Sequence, residues 1–252
     1  MTTTDPNIDT FDFYIYPREV GAAKRILLHN LGACILDAAG LSAARRGFGM
    51  NDMHARGRAW VVSRMMMKIA KWPHEYETVK ISTWVSAIGR VASTRLFAIE
   101  DLDGNLMATA STLWSIIDTT TRHMVDLIET TDLSQYKTTH PSIGVQTPHR
   151  IEIPRHLDAP TIESSHAVVY TDIDMNRHVN SMKYLQWAID SIPIDYLLTH
   201  APTECHINFT HEALPHQTIA INRYDIDENN HLFDLKNTEG RTCCRISLTY
   251  DA

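Results

Sequence analysis

Along this chain, apolar side chains recur in two distinct rhythms, and the same order of rhythms is met twice. Leu28, Leu31, Ile35 and Ala38 or Ala39 follow the three-to-four spacing of a helix with one buried face, which the pattern ends near Gly40. Val179, Met182, Leu185, Ile189 and Ile192 repeat that spacing and stop before Pro193. Runs of strand character follow the first helix at Ala59 to Ile69, Glu77 to Ser86, Val91 to Asp101 and Met107 to Asp118. The second helix is followed by Glu204 to Phe209, Thr218 to Tyr224, His231 to Leu235 and Thr242 to Tyr250. Asp103-Gly104 and Gly240 mark the last turn of each set, and Pro73-His74 and Pro215-His216 fall in matching places between strands. One helix followed by several antiparallel strands, twice over, predicts an α+β protein. Each curled sheet wraps its own long helix, and the two units can pair their sheets edge to edge.

Between Thr131 and Pro160 the rhythm breaks down. That stretch holds four of the ten prolines (Pro141, Pro148, Pro154 and Pro160), together with Gly144 and many polar residues. It places a linker over 131–160, between an N-terminal unit of residues 1–130 and a C-terminal unit of residues 161–252, and the whole reads as a tandem duplication.

Composition narrows the class. The chain has 252 residues, 44% of them hydrophobic and 21% charged, which is enough to build one large core or two smaller ones. Its first ten residues lack the basic and apolar regions of a secretory signal, and no apolar run approaches the roughly 18 residues of a membrane span, so a cytoplasmic protein is expected. The formal net charge of -7 argues against general nucleic-acid binding. Cys34, Cys205, Cys243 and Cys244 form neither a CxxC pair nor an evenly spaced framework, so reduced core cysteines are expected.

Chemistry concentrates just before the second helix. Asp172, Asp174, Asn176, His178 and Asn180 occupy alternate positions, which on an extended segment would aim all five to one side. Acid, amide and imidazole beside a helix N-terminus suit acyl transfer, while a polar strand edge that merely caps a helix accounts for the same residues. A calcium loop fails because Arg177 and Lys183 stand where the signature needs Gly and Glu. His211-Glu212 and His216 are one residue too far apart for a zinc helix, with Pro215 between them. No G-x-S-x-G, P-loop or G-x-G-x-x-G motif occurs.

The stretch D-I-D-M-N-R-H-V-N-S-M-K-Y-L-Q-W, Asp172 to Trp187, resembles the signature D-x-D-x-N-x-H-V-N-x-x-K-Y-x-x-W of the acyl-ACP thioesterases, the fatty-acid chain terminators of plants and bacteria. In the first half, Trp60 to Met65 is similar to that family's W-V-V-T-R-M, and Thr83 to Ala87 to its T-W-V-S-A. The resemblance runs from about Phe11 to Tyr250. It implies a double hotdog fold, cleavage of the thioester between a fatty acyl chain and an acyl carrier protein, and no metal or organic cofactor. Carried over residue by residue, it puts catalytic roles on Asp174, Asn176, His178 and Glu212. Where plant members have a cysteine after that glutamate, this chain has Ala213, which removes a cysteine mechanism at that position.

On that resemblance Glu212 is expected to activate a water, Asn176 and His178 to hold the thioester carbonyl, and Asp174 to fix their orientation. Direct attack by Glu212 through an anhydride is the variant mechanism. Matching Asn30 to Asn180 as equivalent helix starts puts Lys24, Ile26 and Leu28 at the first half's places for Asp174, Asn176 and His178. The first half is then expected to shape the acyl pocket, with Trp60, Met65, Met67, Ile69 and Trp84 as lining, each of which ordinary core packing also explains. Docking of an acidic carrier would use Arg18, Lys24 and Arg25, or Arg45, Arg46, Arg56 and Arg58. The rival activities are hydrolysis of acyl-CoA, dehydration of 3-hydroxyacyl chains, and acyl binding without turnover. The paired halves permit a monomer, and a homodimer is equally compatible.

Overall fold

The computed structural model describes residues 5–138, 143–144, 146–157 and 159–251; Pro141 of the expected linker lies outside them. Ten strands form one antiparallel sheet. Strands β1 (Asp9–Tyr14), β2 (Arg58–Ile69), β3 (Thr78–Ile88), β4 (Ser93–Glu100) and β5 (Leu106–Asp118) come from the first half. Strands β6 (Ile162–Ala167), β7 (Pro202–Phe209), β8 (Thr218–Asp225), β9 (Asn230–Lys236) and β10 (Thr242–Tyr250) come from the second. Their order, β1-β3-β4-β5-β2-β7-β10-β9-β8-β6, reads the same from either edge when each strand is exchanged for its counterpart. The halves meet where β2 pairs with β7, from Arg64 opposite Asn208 to Lys68 opposite Glu204, so the expected edge-to-edge pairing is the backbone of the molecule.

The helices are α1 (Leu28–Arg45), α2 (Met50–Ala55), α3 (Leu127–Thr130), α4 (Ser181–Asp190) and α5 (Ile194–Thr199). The long ones, α1 and α4, lie together on the concave side. There Leu31, Ile35, Met182 and Leu185 join Met65, Met67, Ile207 and Ile246 of the sheet in one core. α1 does not stop at Gly40 but continues to Arg45. A lone exposed glycine costs a helix only about 1 kcal/mol, and the next turn is anchored by Ser42, whose hydroxyl donates to Asp9 at 2.7 Å. The edge strands β1 and β6 escape the sequence pattern because β1 is at most half-buried along its length and β6 is largely exposed, so neither carries a strong apolar face.

Side-chain parity decides which expected pocket residues reach the concave side. In β2 the register slips between Val62 and Arg64, and this bulge lets Trp60 and Val62 share a face with Met65 and Met67. In β3, Trp84 alternates with the buried Thr83 and Val85 and points to the other face, where it packs with Leu96, Ala98, Ile8 and Ile143.

Candidate active site

The segment from Asp172 to Asn180 is a closed turn rather than an extended row. Tyr170–Asp172 makes one turn of 3-10 helix, Ile173 bridges Val179, and Arg177 takes the left-handed φ of 67° between them. The five polar residues therefore separate. Asp172 is buried, accepts the Val169 N–H at 2.9 Å, pairs with His166 at 2.8 Å, and has Lys183 at 3.7 Å. Asn180 caps α4 by accepting the Met182 N–H at 2.9 Å. Asp174, Asn176 and His178 stay together because one carboxylate organises the turn. Asp174 Oδ1 accepts the N–H of Asn176 at 2.8 Å and that of His178 at 3.4 Å, and the Asn176 amide lies 3.4 Å from Oδ2.

Glu212 arrives from the loop after β7. Val179 N–H donates to the Ala213 carbonyl at 3.0 Å, tying that loop to the turn, and the buried Tyr184 hydroxyl accepts the Ala213 N–H at 3.0 Å. The consequence is a contact between two chain segments: His178 Nε2 lies 3.3 Å from Glu212 Oε2. A third segment completes the group, since Arg122 Nη2 lies 2.5 Å from the same oxygen. Sequence reasoning missed Arg122, which sits in the plain turn T-T-T-R-H with no periodic or motif signal around it.

These residues border a cavity of about 1610 Å³ that extends along α1 into the first half. Its walls include Ala33, Leu36, Ala43, Trp60, Val62 and Trp114. Trp60 is thus in the lining, held by its indole N–H donating to the Phe48 carbonyl at 2.9 Å. Met65, Met67 and Ile69 are instead closed into the main core and Trp84 into the outer cluster, so these four pack rather than line. Asp37 of α1 also faces the cavity, and burial pushes its carboxyl above the ordinary value. A smaller hollow of about 340 Å³ beside Arg46, Phe48 and Arg56 has no histidine in its lining. Among the described residues no group of three or more His, Cys, Asp or Glu is placed to hold a metal ion.

The first half repeats the backbone bonds of the turn without its carboxylate. Val20 bridges Ile26 as Ile173 bridges Val179, Lys24 takes a φ of 57° as Arg177 takes 67°, and Ile26 N–H donates to Pro73 as Val179 N–H donates to Ala213. This register corrects the one expected from Asn30: Leu27 matches Asn180, and Asp174, Asn176 and His178 fall on Gly21, Ala23 and Arg25. Pro73 correspondingly matches Ala213 rather than Pro215, and Trp72 stands for Glu212. In place of an imidazole and a carboxylate, the Arg25 guanidinium lies 5.6 Å from the Trp72 ring and donates to the carbonyls of Leu197 and His200 at 2.8 and 2.5 Å. Arg25 is therefore spent on internal bonds. Of the other expected docking cluster, Arg46 is tied to Asp9 and Arg45 lies 3.5 Å from it. Exposed arginines at the cavity rim are Arg122 and Arg177.

Two helices, each wrapped by a curled sheet and fused along β2 and β7, with an acid–imidazole pair at the rim of one cleft, define a tandem hotdog protein. The family models for the acyl-ACP thioesterase N-terminal domain and C-terminal domain match residues 9–132 and 156–251. The chain belongs to the acyl-ACP thioesterase family. It is 26% identical over 213 residues to a chloroplastic palmitoyl-acyl carrier protein thioesterase of Cuphea hookeriana, covering 80% of this chain and 51% of that one. The chain spans about half the length of the curated relatives it matches first. A crystal structure of an acyl-ACP thioesterase from Bacteroides thetaiotaomicron superposes with a TM-score of 0.89 at 26% identity, covering 97% of this chain and 98% of that one. A 12:0-ACP thioesterase from Umbellularia californica shares the fold, with a TM-score of 0.85 at 17% identity and 98% of each chain covered.

Proposed function

We propose that this protein hydrolyses the thioester of fatty acyl chains carried on acyl carrier protein, releasing the free fatty acid. The observation that carries this reading is the 3.3 Å approach of His178 Nε2 to Glu212 Oε2 at the rim of a long, mostly apolar-walled cavity. Family membership and the Bacteroides thetaiotaomicron likeness support it.

In this mechanism Glu212 takes a proton from water as the water oxygen attacks the thioester carbonyl carbon, and the carbon–sulfur bond then breaks. The proton passes to the departing sulfur, giving a thiol and a carboxylic acid. Asn176 and His178 polarise the carbonyl, where developing negative charge is most worth stabilising. Asp174 acts on them indirectly by closing the turn that presents both side chains. Ala213 is fully buried and carries no nucleophile, which favours water as the attacking group. The first half supplies the acyl pocket through α1 and Trp60, and the second half supplies the acid, amide and imidazole. No helix of the described residues is long and apolar enough to cross a membrane.

Turnover of acyl-ACP and acyl-CoA of the same chain length, with free thiol and free acid both measured, tests the reading. Stoichiometric acid and thiol from acyl-ACP at higher kcat/KM is the expected outcome. Preference for acyl-CoA would replace the carrier with coenzyme A, and binding without release of acid would leave a silent acyl-binding protein.

A further inference from the structure

We propose that Arg122, supplied by the first half, is a positioning residue for Glu212 of the second: with His178 it holds Oε2, leaving Oε1 to take the proton from water. The inference rests on the hydrolytic reading above and deepens it. Both close approaches to the Glu212 carboxylate, Arg122 Nη2 at 2.5 Å and His178 Nε2 at 3.3 Å, fall on Oε2, and Oε1 is in neither. A glutamate side chain has three rotatable bonds, and at 39% exposure this one keeps room to turn, so without a partner its two oxygens would exchange places. A guanidinium fork suits this role because it stays charged at any working pH and its donors lie in one plane. It therefore fixes a carboxylate without competing for the proton.

The turn that carries Arg122 is closed by its own bonds. Asp118, at the end of β5, accepts the N–H of Thr120 at 3.0 Å and of Thr121 at 2.8 Å, and also the Thr121 hydroxyl at 3.1 Å. Arg122 N–H donates to the Asp118 carbonyl at 2.9 Å, and Thr119 N–H donates to Gly57 at 2.9 Å. Arg122 itself takes the left-handed φ of 63°, uncommon for a residue with a side chain. By contrast, the matching carboxylate position of the first half holds Trp72, so the described structure presents this arrangement at one cleft. The site is therefore built from both halves: the turn and Glu212 from the second, Arg122 from the first.

The test compares Arg122→Ala, Arg122→Lys and Arg122→Ala with Glu212→Gln, using acyl-ACP as substrate and thermal melting as the folding control. Arg122→Ala should lower kcat by about 10- to 100-fold with KM little changed, as expected when a reacting group is misplaced by a fraction of its contact distance. Arg122→Lys should recover part of that loss, and added guanidinium ion at non-denaturing concentration should restore Arg122→Ala but not Glu212→Gln. On the Glu212→Gln background, Arg122→Ala should cost nothing further. A folded Arg122→Ala enzyme with wild-type kcat overturns the proposal. So does a loss confined to KM, which would make Arg122 a substrate contact, or an equal loss on the Glu212→Gln background. Absence of hydrolysis by the wild-type protein is a different result: it removes the hydrolytic reading itself, and this inference with it.

Discussion

Replacing Glu212 by glutamine keeps the shape of the side chain and removes its ability to accept a proton, so it separates chemistry from structure. The structural cost is small. The substitution removes an ion pair with Arg122, whose partners are 50% and 39% exposed, and weakens the approach of His178. Exposed pairs are worth about 0–1 kcal/mol, and Arg122 without its partner remains in water, so the melting temperature should fall by no more than about 4 °C for a chain of this size. The chemical cost is larger. A positioned general base contributes about 10²- to 10⁴-fold, equivalent to about 2.7–5.4 kcal/mol of barrier at 1.36 kcal/mol per decade. Steady-state hydrolysis of acyl-ACP, with thiol release followed continuously, should show kcat reduced by that factor and KM nearly unchanged. Glu163→Gln, on the exposed edge strand β6, is the matched control. A folded Glu212→Gln enzyme with near-wild-type kcat would refute the water-activating role and move it to another acid on the cavity wall, Asp174 or Asp37.

Tyr184→Phe removes the acceptor of the buried Ala213 N–H and should cost about 1–3 kcal/mol in a urea melt, with kcat falling as the Glu212 loop loosens; unchanged stability would show that the N–H finds another partner. His29 is pushed down to about 4 by burial, with Lys183 adding to the effect, from an ordinary 6.5. Below pH 6.5 the unfolded chain therefore takes up the proton first, and stability should decline from there toward pH 4, a slope that His29→Gln should flatten in melts across that range. Burial pushes the thiols of Cys34 and Cys243 up to about 12 and about 11, so alkylation by iodoacetamide at neutral pH should leave turnover intact, and EDTA should do the same; loss of activity with either reagent would contradict the water-based mechanism.

Much of the architecture was legible because burial is one-sided. The three-to-four spacing of Leu28, Leu31 and Ile35 follows directly from the face α1 must hide, the apolar runs of β2 to β5 follow from strands covered for much of their length, and the paired order of elements revealed the duplication. What stayed hidden had physical reasons. Edge strands β1 and β6 bury little, so they carry little pattern. Met65, Met67 and Ile69 are closed into the main core and Trp84 into the outer cluster, a division that an apolar strand residue does not announce in the sequence. The bulge at Ser63 brings Trp60 onto the face of Met65 and Met67, and the parity of β3 turns Trp84 to the other face; neither can be read from composition. At the site, the motif singled out Asp174, Asn176 and His178 correctly as neighbours in space, yet the expected extended row concealed how they are held. A turn closed by Asp174 needs the left-handed backbone at Arg177, a conformation that nothing in an alternating pattern announces.

On the hydrolytic reading proposed above, the internal repeat accounts for chemistry falling to one cleft and not to the other. Both halves build the same bridged turn and tie it to the loop after their first central strand through the same bond, Ile26 to Pro73 and Val179 to Ala213. That shared frame fixes backbone positions and leaves the side chains free to diverge. In the second half the frame presents His178 to Glu212; in the first it presents Arg25 to Trp72, and Arg25 reaches across to bond the end of α5. The helices diverge in step: α1 has 18 residues and runs along the cavity, whereas α4 has 10 and is followed at once by α5. On that same hydrolytic reading, a long groove for an acyl chain needs a long helix as its wall, so the acid and imidazole of the second half would act beside α1 of the first. On that reading each half supplies what the other lacks, and the β2–β7 seam, paired from Arg64 opposite Asn208 to Lys68 opposite Glu204, is what joins them.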